Sequence, residues 1–205
     1  MSSSPTVFVV DDDQAMRQSL KWLIESVGMA VETYASADAF MHNYYPGQAG
    51  CLLLDVRMPG MSGLELQEHF IEHDIRIPII IITGHGDVPM SVRAMKAGAV
   101  DFIEKPFNDE LLLESIRNAL VYDLDQRTSQ AELAEIASRL DQLTPREHEV
   151  MAMVTDGRSN KDIASTLGVS AKTVEAHRAR VMEKMKAPSL AGLVKMAISA
   201  NLYKN

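Results

Sequence analysis

Apolar positions in the first 121 residues form short runs separated by stretches of helical periodicity. The runs read TVFVV, AVETYA, CLLLD, IPIIIIT and AVDFIEK. The stretches between them, such as QAMRQSLKWLIESVG and VPMSVRAMKAG, repeat apolar residues every three or four positions and end at a glycine suited to a helix C-terminus. This alternation predicts a parallel sheet with helices on both faces, which we assign to residues 1–122.

A helical pattern without glycine or proline follows. Apolar residues recur at helical spacing between Leu112 and Leu140 and become sparse around DQRTSQ. The pattern predicts a last helix of the α/β domain and a linker helix over residues 123–142. It leaves open whether the two helices are continuous or break near Thr128–Ser129.

Residues 143–205 read as a separate all-helical domain. Thr144, Pro145 and Glu147 have the spacing of a capping box with proline in the first turn. Helical stretches follow at about 145–156, 160–167, 171–186 and 189–201.

The two middle stretches predict a helix-turn-helix, with Asn160 and Ser170 as their N-caps and Gly168 in the turn. In the second of these helices Val174, Val181 and Met185 fall on one face, which we expect to lie in the core. A plain helical bundle with a charged face would give the same pattern.

Charge is distributed unevenly along the chain, whose formal net charge is −8. Residues 1–123 contain 8 Lys/Arg and 18 Asp/Glu, whereas residues 144–205 contain 10 Lys/Arg and 6 Asp/Glu. This asymmetry indicates two domains with different partners, and nucleic acid is the first candidate for the basic one.

Composition limits the class of protein. The 205 residues are 46% hydrophobic, without an apolar run of membrane-spanning length, and the N-terminus lacks the pattern of a secretory signal. Cys51 is the single cysteine, which excludes an internal disulfide. We therefore expect a cytoplasmic protein without a membrane partner, and a packed, unreactive Cys51 thiol.

Polar side chains stand where four apolar runs end. They are Asp11–Asp12, Asp55, Thr83 and Lys105. Ligands of open parallel sheets bind at the carboxyl edge of the strands, so these side chains are expected to converge. Each also has an ordinary structural explanation, and the triplet Asp11–Asp13 by itself favours a strand end followed by a helix N-cap.

The chemistry of this set suits phosphate. Three carboxylates favour a hard cation such as Mg²⁺, or Mn²⁺, which relieves their repulsion. Asp55 is then a credible nucleophile toward phosphorus, because aspartyl phosphate is an established covalent intermediate. Lys105 and Thr83 would contact the phosphoryl oxygens.

The motifs VDDD, LLLDVRMPGMSGLEL, IIIITGHGD and VDFIEKPF, with their spacing, resemble the receiver domain of two-component response regulators. The resemblance implies a doubly wound, five-stranded, flavodoxin-like sheet and phosphorylation of Asp55 by a sensor histidine kinase. It also implies Mg²⁺ ligation by Asp12, Asp55 and the backbone carbonyl of Arg57, with Asp11 acting through water.

The same resemblance makes Thr83 and Phe102 a switch pair and Lys105–Pro106 a cis peptide bond. Phosphorylation would draw Thr83 toward the phosphoryl oxygens and let Phe102 rotate inward. An ordinary core aromatic explains Phe102 equally well.

The motifs LTPREHEVM, SNKDIA and KTVEAHRARVMEKM resemble the four-helix DNA-binding domain of LuxR-type regulators over residues 143–202. The helix at 171–186 would then be the recognition helix in the major groove. The resemblance implies base-facing positions at Glu175, Ala176 and Ala179. Further candidate DNA contacts are Lys161, Lys172, Thr173, His177, Arg178 and Arg180, although His177 could equally be a packed core histidine.

Together, TGHGDVPMSVRAMKAGAVDFIEKPF and TVEAHRARVMEKMKA resemble the FixJ branch of this family. That resemblance implies a transcription activator that works with RNA polymerase on promoter DNA and forms a homodimer when phosphorylated. The implied dimer face lies near the fourth helix and fifth strand, with Val88, Val92, Met95 and Lys96 on that helix.

Two rival hypotheses remain at the level of sequence. A magnesium-dependent phosphatase could use the same pocket, but such enzymes need a second acid two places after the nucleophile, where this chain has Arg57. We therefore expect no enzyme activity beyond the receiver's own phosphoryl transfer and slow autodephosphorylation. The other rival is a phosphorylation-independent DNA-binding regulator whose receiver serves only for dimerisation.

Overall fold

A computed structural model describes residues 4–84 and 88–200. Residues 85–87 of the IIIITGHGD motif, and residue 201 at the end of the last predicted helix, lie outside the described residues. Contacts divide the chain into two units, residues 1–126 and 127–205. No helix among the described residues is long and apolar enough to cross a membrane.

The first unit is a five-stranded parallel sheet in the order β2-β1-β3-β4-β5. The strands are β1 Thr6–Val10, β2 Ala30–Tyr34, β3 Gly50–Asp55, β4 Ile79–Thr83 and β5 Asp101–Glu104. The helices are α1 Gln14–Ser26, α2 Ala37–Asn43, α3 Gly63–Glu72, α4 Val88–Lys96 and α5 Asp109–Leu140. This order confirms the predicted doubly wound fold, with β1 next to both β2 and β3 at the point where the winding reverses.

The sheet separates two apolar layers because successive strand residues point to opposite faces. Phe8, Leu52, Leu54 and Ile81 pack on one face with side chains that include Phe40, Leu66, Phe70 and Ala94, from α2, α3 and α4. Val7, Leu53, Ile80 and Ile82 pack on the other face with Leu20 and Ile24 of α1 and Leu112 and Ile116 of α5. Cys51 belongs to the second layer and is fully buried, as expected, and this burial raises the pKa of its thiol to about 12.

Helix α5 is continuous over 32 residues. It passes through Thr128 and Ser129 without a break, which answers the question that the sequence left open. The two units divide within this helix, after Gln126. The domain boundaries predicted from the sequence, after residues 122 and 142, stay predictions.

The second unit contains the four helices predicted for the output domain. They are α6 Pro145–Thr155, α7 Asn160–Leu167, α8 Ala171–Lys184 and α9 Leu190–Ser199. Val174, Val181 and Met185 of the α8 segment lie in its core, as predicted, with side chains that include Val150, Ile163 and Leu193.

Three of the four predicted caps and turns are confirmed. Thr144 and Glu147 form a reciprocal capping box at the start of α6, with Pro145 in the first turn. Ser170 caps α8, and its side chain accepts a hydrogen bond from the N–H of Thr173. Gly168 ends α7 with a left-handed φ of 65°, a conformation that glycine adopts without steric cost.

The prediction that Asn160 caps α7 is wrong. Ser159 is the cap, and Asn160 is the first helical residue. Ser159 Oγ accepts from the N–H of Asp162, and the Asp162 carboxylate accepts from Ser159 in return. A cap at Asn160 would instead place Ile163 at the third helical position, where an apolar side chain cannot reciprocate.

Candidate functional site

Three of the residues predicted from the strand ends meet at one edge of the sheet. The Lys105 ammonium, just after β5, donates to Asp11 Oδ2 and Asp55 Oδ1, each at 2.7 Å. Asp11 follows β1, Asp55 is the last residue of β3, and both carboxylates are buried. The neighbouring strands therefore bring together groups separated by 94 and 50 positions in sequence.

The loop after Asp55 folds back on the carboxylate. The N–H of Arg57 donates to Asp55 Oδ2 at 2.7 Å, so both carboxylate oxygens accept a hydrogen bond. Gly63, at the start of α3, comes so close that a Cβ there would lie 2.2 Å from the Asp55 carbonyl oxygen. Only glycine fits at position 63, which gives the second glycine in the motif MPGMSGLEL a steric reason.

Burial dominates the electrostatics of Asp55. It raises the pKa of this carboxyl, the hydrogen bond and charge of Lys105 oppose that rise, and the charge of Asp11 adds to it. Burial also opposes the charge on Lys105, but hydrogen bonds to Asp11 and Asp55 outweigh it and raise the pKa of the ammonium. The site thus holds its carboxylates at a cost that a cation relieves.

The three successive aspartates have different surroundings. Asp13 is the N-cap of α1 and accepts from the N–H of Ala15 at 2.8 Å, so the structural explanation of the triplet holds for this residue. Asp11 points to Lys105, and Asp12 between them is exposed to solvent. The Arg17 guanidinium also donates to the Asp11 backbone carbonyl at 2.7 Å, a contact that sequence patterns did not indicate.

Thr83 and Phe102 lie on adjacent strands beside this pocket. Thr83 ends β4 fully buried, and its carbonyl accepts from the N–H of Lys105 at 2.8 Å. Phe102 pairs in register with Ile81 and is half-buried against the α2–α4 layer. The peptide bond Lys105–Pro106 is cis, as predicted.

Helix α4 carries an exposed apolar stripe. Val88, Val92 and Met95 are 75%, 45% and 47% exposed, whereas Ala94 on the opposite side is buried. Lys96 is exposed at the end of the same helix. The spacing of the three apolar residues places them on one face of the helix.

Helix α8 presents most of the predicted DNA contacts to solvent. Lys172, Thr173, Glu175, Ala176, Ala179 and Arg180 are exposed, as is Lys161 in the first turn of α7. Ser170 caps this exposed end of α8, where the hydroxyls of Ser170 and Thr173 lie 2.8 Å apart.

Two of the predicted contacts on α8 are only half-exposed. Arg178 donates to the side-chain oxygen of Asn160 at 2.6 Å, which ties α8 to the start of α7. His177 has its Nδ1 atom buried, and this atom has no hydrogen-bond partner among the described residues. A single sequence could not reveal the Arg178–Asn160 pair, because its members are 18 positions apart.

The capping box of α6 is part of a partly buried ion pair. The Lys184 ammonium donates to Glu147 Oε2 at 2.6 Å and to the Gln142 carbonyl at 3.0 Å. The Lys184 hydrogen bond, followed by the N–H of Thr144, lowers the pKa of Glu147 to about 2. The sequence predicted the cap but not Lys184, which is 37 positions away.

Comparisons with known families divide the chain in the same two parts. Residues 7–117 match the family described as "Response regulator receiver domain", and residues 141–197 match "Bacterial regulatory proteins, luxR family".

Relatives match over nearly the whole length. Nodulation protein W of Bradyrhizobium diazoefficiens is 47% identical over 204 residues, which cover 100% of this chain and 90% of that protein. The transcriptional regulatory protein FixJ of Azorhizobium caulinodans is 45% identical over 202 residues, which cover 98% of this chain and 96% of that protein.

Solved structures agree with these matches. The response regulator StyR is 44% identical, with a TM-score of 0.87 over 96% of this chain and 99% of that one. Full-length FixJ from B. japonicum is also 44% identical, with a TM-score of 0.59 over 98% of this chain and 99% of that one. The chain belongs to the FixJ family of two-component response regulators, with a receiver domain and a LuxR-type DNA-binding domain.

Proposed function

We propose that this regulator is controlled by phosphorylation of Asp55, with a sensor histidine kinase as the phosphoryl donor. The observation that carries the proposal is the Lys105 ammonium, 2.7 Å from both Asp55 and Asp11. This arrangement leaves a nucleophilic carboxylate beside a fixed positive charge, which suits the charge that develops on a transferring phosphoryl group.

Phosphoryl transfer to Asp55 would require only one existing contact, the bond from Lys105, to change its partner. One of its carboxylate oxygens attacks phosphorus, the P–N bond of the kinase phosphohistidine breaks, and the imidazole nitrogen keeps the electron pair. Lys105 then exchanges its bond to Asp55 for one to a phosphoryl oxygen, and the Thr83 hydroxyl donates to another. Their places at the ends of the neighbouring strands support both roles.

The donors at this edge fit Mg²⁺ or Mn²⁺, since they are carboxylate and carbonyl oxygens with solvent access at Asp12. We assign the ligands to Asp12, Asp55 and the backbone carbonyl of Arg57, with Asp11 acting through water. A cation bound here supplies positive charge that offsets carboxylate repulsion and the charge of the phosphoryl group. Receiver domains generally bind Mg²⁺ at this pocket.

Thr83 and Phe102 form the proposed switch. Phosphorylation adds about −1.5 to −2 charges at Asp55. Ile81 of β4 and Phe102 of β5 are paired in register. Movement of Thr83 toward the phosphoryl oxygens would open space next to this pair. The half-buried position of Phe102 supports a side chain that can move further inward.

The exposed stripe on α4 supports a phosphorylation-dependent homodimer. Three apolar side chains, Val88, Val92 and Met95, face solvent, and Lys96 adds a charge at the rim. Burying them against a second copy would remove apolar surface from water. Dimerisation also suits DNA half-sites arranged with two-fold symmetry.

The output domain would use α8 to contact promoter DNA in the major groove. Glu175, Ala176 and Ala179 would face bases. Lys161, Lys172, Thr173, His177, Arg178 and Arg180 would contact the backbone or the groove edge. We infer that the bound dimer activates transcription through RNA polymerase, in the cytoplasm.

The decisive experiment treats the purified protein with acetyl phosphate and Mg²⁺. We expect a stable phosphoryl group on Asp55, a shift to dimer and tighter binding to promoter DNA. The variant Asp55→Asn should lose all three responses, and Glu25→Gln, which changes an exposed carboxyl on α1, should keep them.

The rival hypotheses give different results in the same assay. Rapid multiple turnover of acetyl phosphate would support a phosphatase. Equal DNA binding with and without acetyl phosphate would support a phosphorylation-independent regulator. Full response of Asp55→Asn would contradict our proposal.

A further inference from the structure

The C-terminal end of α3 carries a cluster of possible metal ligands that the phosphorylation site does not use. His69, Glu72 and His73 each offer one ligand atom, and these three atoms lie within 4.8 Å of one another. Their spacing, i, i+3 and i+4, places all three on the same face of the helix end. Glu72 and His73 are exposed and His69 is half-buried, so a solvated ion can reach the cluster.

A backbone hydrogen bond orients one of the imidazoles for metal binding. His73 Nδ1 lies 2.8 Å from the carbonyl oxygen of His69. A carbonyl oxygen only accepts, so Nδ1 carries the proton, and in the neutral imidazole Nε2 then keeps the lone pair that binds a metal. A metal-ligating histidine commonly has this arrangement, in which the second ring nitrogen donates to a carbonyl or carboxylate.

The imidazole rings are already close together. The ring centroids of His69 and His73 lie 4.0 Å apart, with 37° between the ring planes. Together with Glu72 they already offer three ligand atoms within 4.8 Å of one another. The three residues are therefore close enough to share one ion.

The local charge favours a cation. The cluster lies at a helix C-terminus, where the exposed carbonyl groups give a partial negative charge. Glu72 forms no ion pair with any residue in the described parts of the chain. The nearby Arg76 is paired with Asp74, with Nε and Oδ1 2.9 Å apart.

We propose that His69, Glu72 and His73 form a binding site for a divalent transition metal, with Zn²⁺ as the preferred ion. Two imidazole nitrogens and one carboxylate suit Zn²⁺, whereas Mg²⁺ prefers oxygen ligands only. Three protein ligands leave a fourth tetrahedral position for water. This site is chemically distinct from the aspartate pocket, and its occupancy does not depend on phosphorylation of Asp55.

The test is a zinc titration of the untagged, full-length protein in competition with a chromophoric chelator. Mg²⁺ is kept in large excess throughout to occupy the aspartate pocket. We expect the wild type to bind one Zn²⁺ in competition with the chelator. His69→Ala and His73→Ala should each weaken binding at least about tenfold, since even loss of an outer-shell partner has effects of that size. Glu72→Gln should weaken binding without changing the size of the side chain.

Two matched controls are available in the same unit. His42→Ala removes an exposed histidine from α2, and Glu25→Gln changes an exposed carboxyl on α1; neither should affect zinc affinity. Co²⁺ provides an independent signal, because its visible absorption in the wild type should change when His73 is replaced. Circular dichroism checks that each variant is folded.

Failure of the wild type to take up zinc under these conditions would overturn the proposal. So would unchanged affinity in His69→Ala, Glu72→Gln and His73→Ala, because the ion would then lie elsewhere. If a histidine variant does not fold, the Glu72→Gln comparison with Glu25→Gln decides the question.

Discussion

Lys105 is the residue whose position organises the proposed phosphorylation site. Its ammonium is held by Asp11 and Asp55, two carboxylates that would otherwise face each other in a buried pocket. Removing a single partner from such a group leaves buried charge uncompensated, so the three side chains act as a unit. Burial raises the pKa of the Asp55 carboxyl although a cation touches it, and the charge of Asp11 adds to the rise.

This raised pKa predicts an acid-dependent stability of the metal-free receiver. The folded protein holds the Asp55 proton more tightly than the unfolded chain, whose pKa is near 3.8. The stabilisation from protonated Asp55 is therefore fully present below pH 3.8 and is lost as the pH rises through the folded-state pKa. Relative to Asp55→Asn, we expect the wild-type free energy of unfolding to fall from pH 4 toward neutral pH.

Urea unfolding with a chelator present checks this prediction. Trp22, the only tryptophan, lies in the receiver and reports on that unit by fluorescence. Added Mg²⁺ at neutral pH should stabilise the wild type more than Asp55→Asn, because the variant loses one of the two carboxylates assigned as direct ligands. A difference between the two proteins that is constant with pH would contradict our account of Asp55.

Helices α3, α6 and α7 begin with a reciprocal capping box, in which a Ser or Thr and the acidic residue three places later exchange hydrogen bonds. These local signals set the helix starts independently of the sheet. In α6 the acidic member, Glu147, is also buried and bonded to Lys184. The start of α6 therefore depends on both local and tertiary contacts.

Thr144→Ala is expected to destabilise the output domain. It removes the acceptor for the N–H of Glu147 at the start of α6, a loss of about 1 kcal/mol for a typical N-cap. Urea unfolding followed by far-ultraviolet circular dichroism measures the change. Thr166→Ala is the matched control, because Thr166 lies exposed within α7 and its hydroxyl donates to the Asp162 carbonyl of the same helix. A loss no larger than that of the control would show that the cap contributes nothing.

At the scale of the whole molecule, the division of charge follows the division of function. The acidic receiver includes the three aspartates of the proposed cation site, and the basic output domain presents exposed Lys and Arg on the helices proposed to contact DNA. Electrostatic attraction to DNA therefore comes from one part of a chain whose net charge is negative. Affinity is expected to depend strongly on salt.

Lys172→Ala tests this division. If Lys172 neutralises one phosphate, the slope of log K against log salt concentration should become shallower by about 0.9. The loss of affinity should be similar on specific and unrelated DNA, because a phosphate contact carries no sequence information. Lys195→Ala, an exposed lysine on α9, is the control and should leave the slope unchanged. Equal slopes for wild type and Lys172→Ala would remove Lys172 from the DNA interface.

The sequence by itself determined the elements and their order. Periodicity, glycine ends and capping boxes are local properties, so the five strands, the four output helices and the Thr144 cap were all predicted before any contact was known. The doubly wound order of the strands was implied by the resemblance to receiver domains and not by the local pattern, and the structure confirms it. The one wrong cap, Asn160, resulted from two adjacent residues, Ser159 and Asn160, that both suit an N-cap. Only Ser159 has an acidic residue, Asp162, three places later.

Only the tertiary structure decided which groups actually touch. It joined Lys105 to two carboxylates, and it paired Lys184 with Glu147 and Arg178 with Asn160. These outcomes depend on distances between residues far apart in the chain and on the competition between burial and charge. A local sequence pattern contains neither these distances nor the balance between burial and charge, because both are fixed only when helices and sheet pack together.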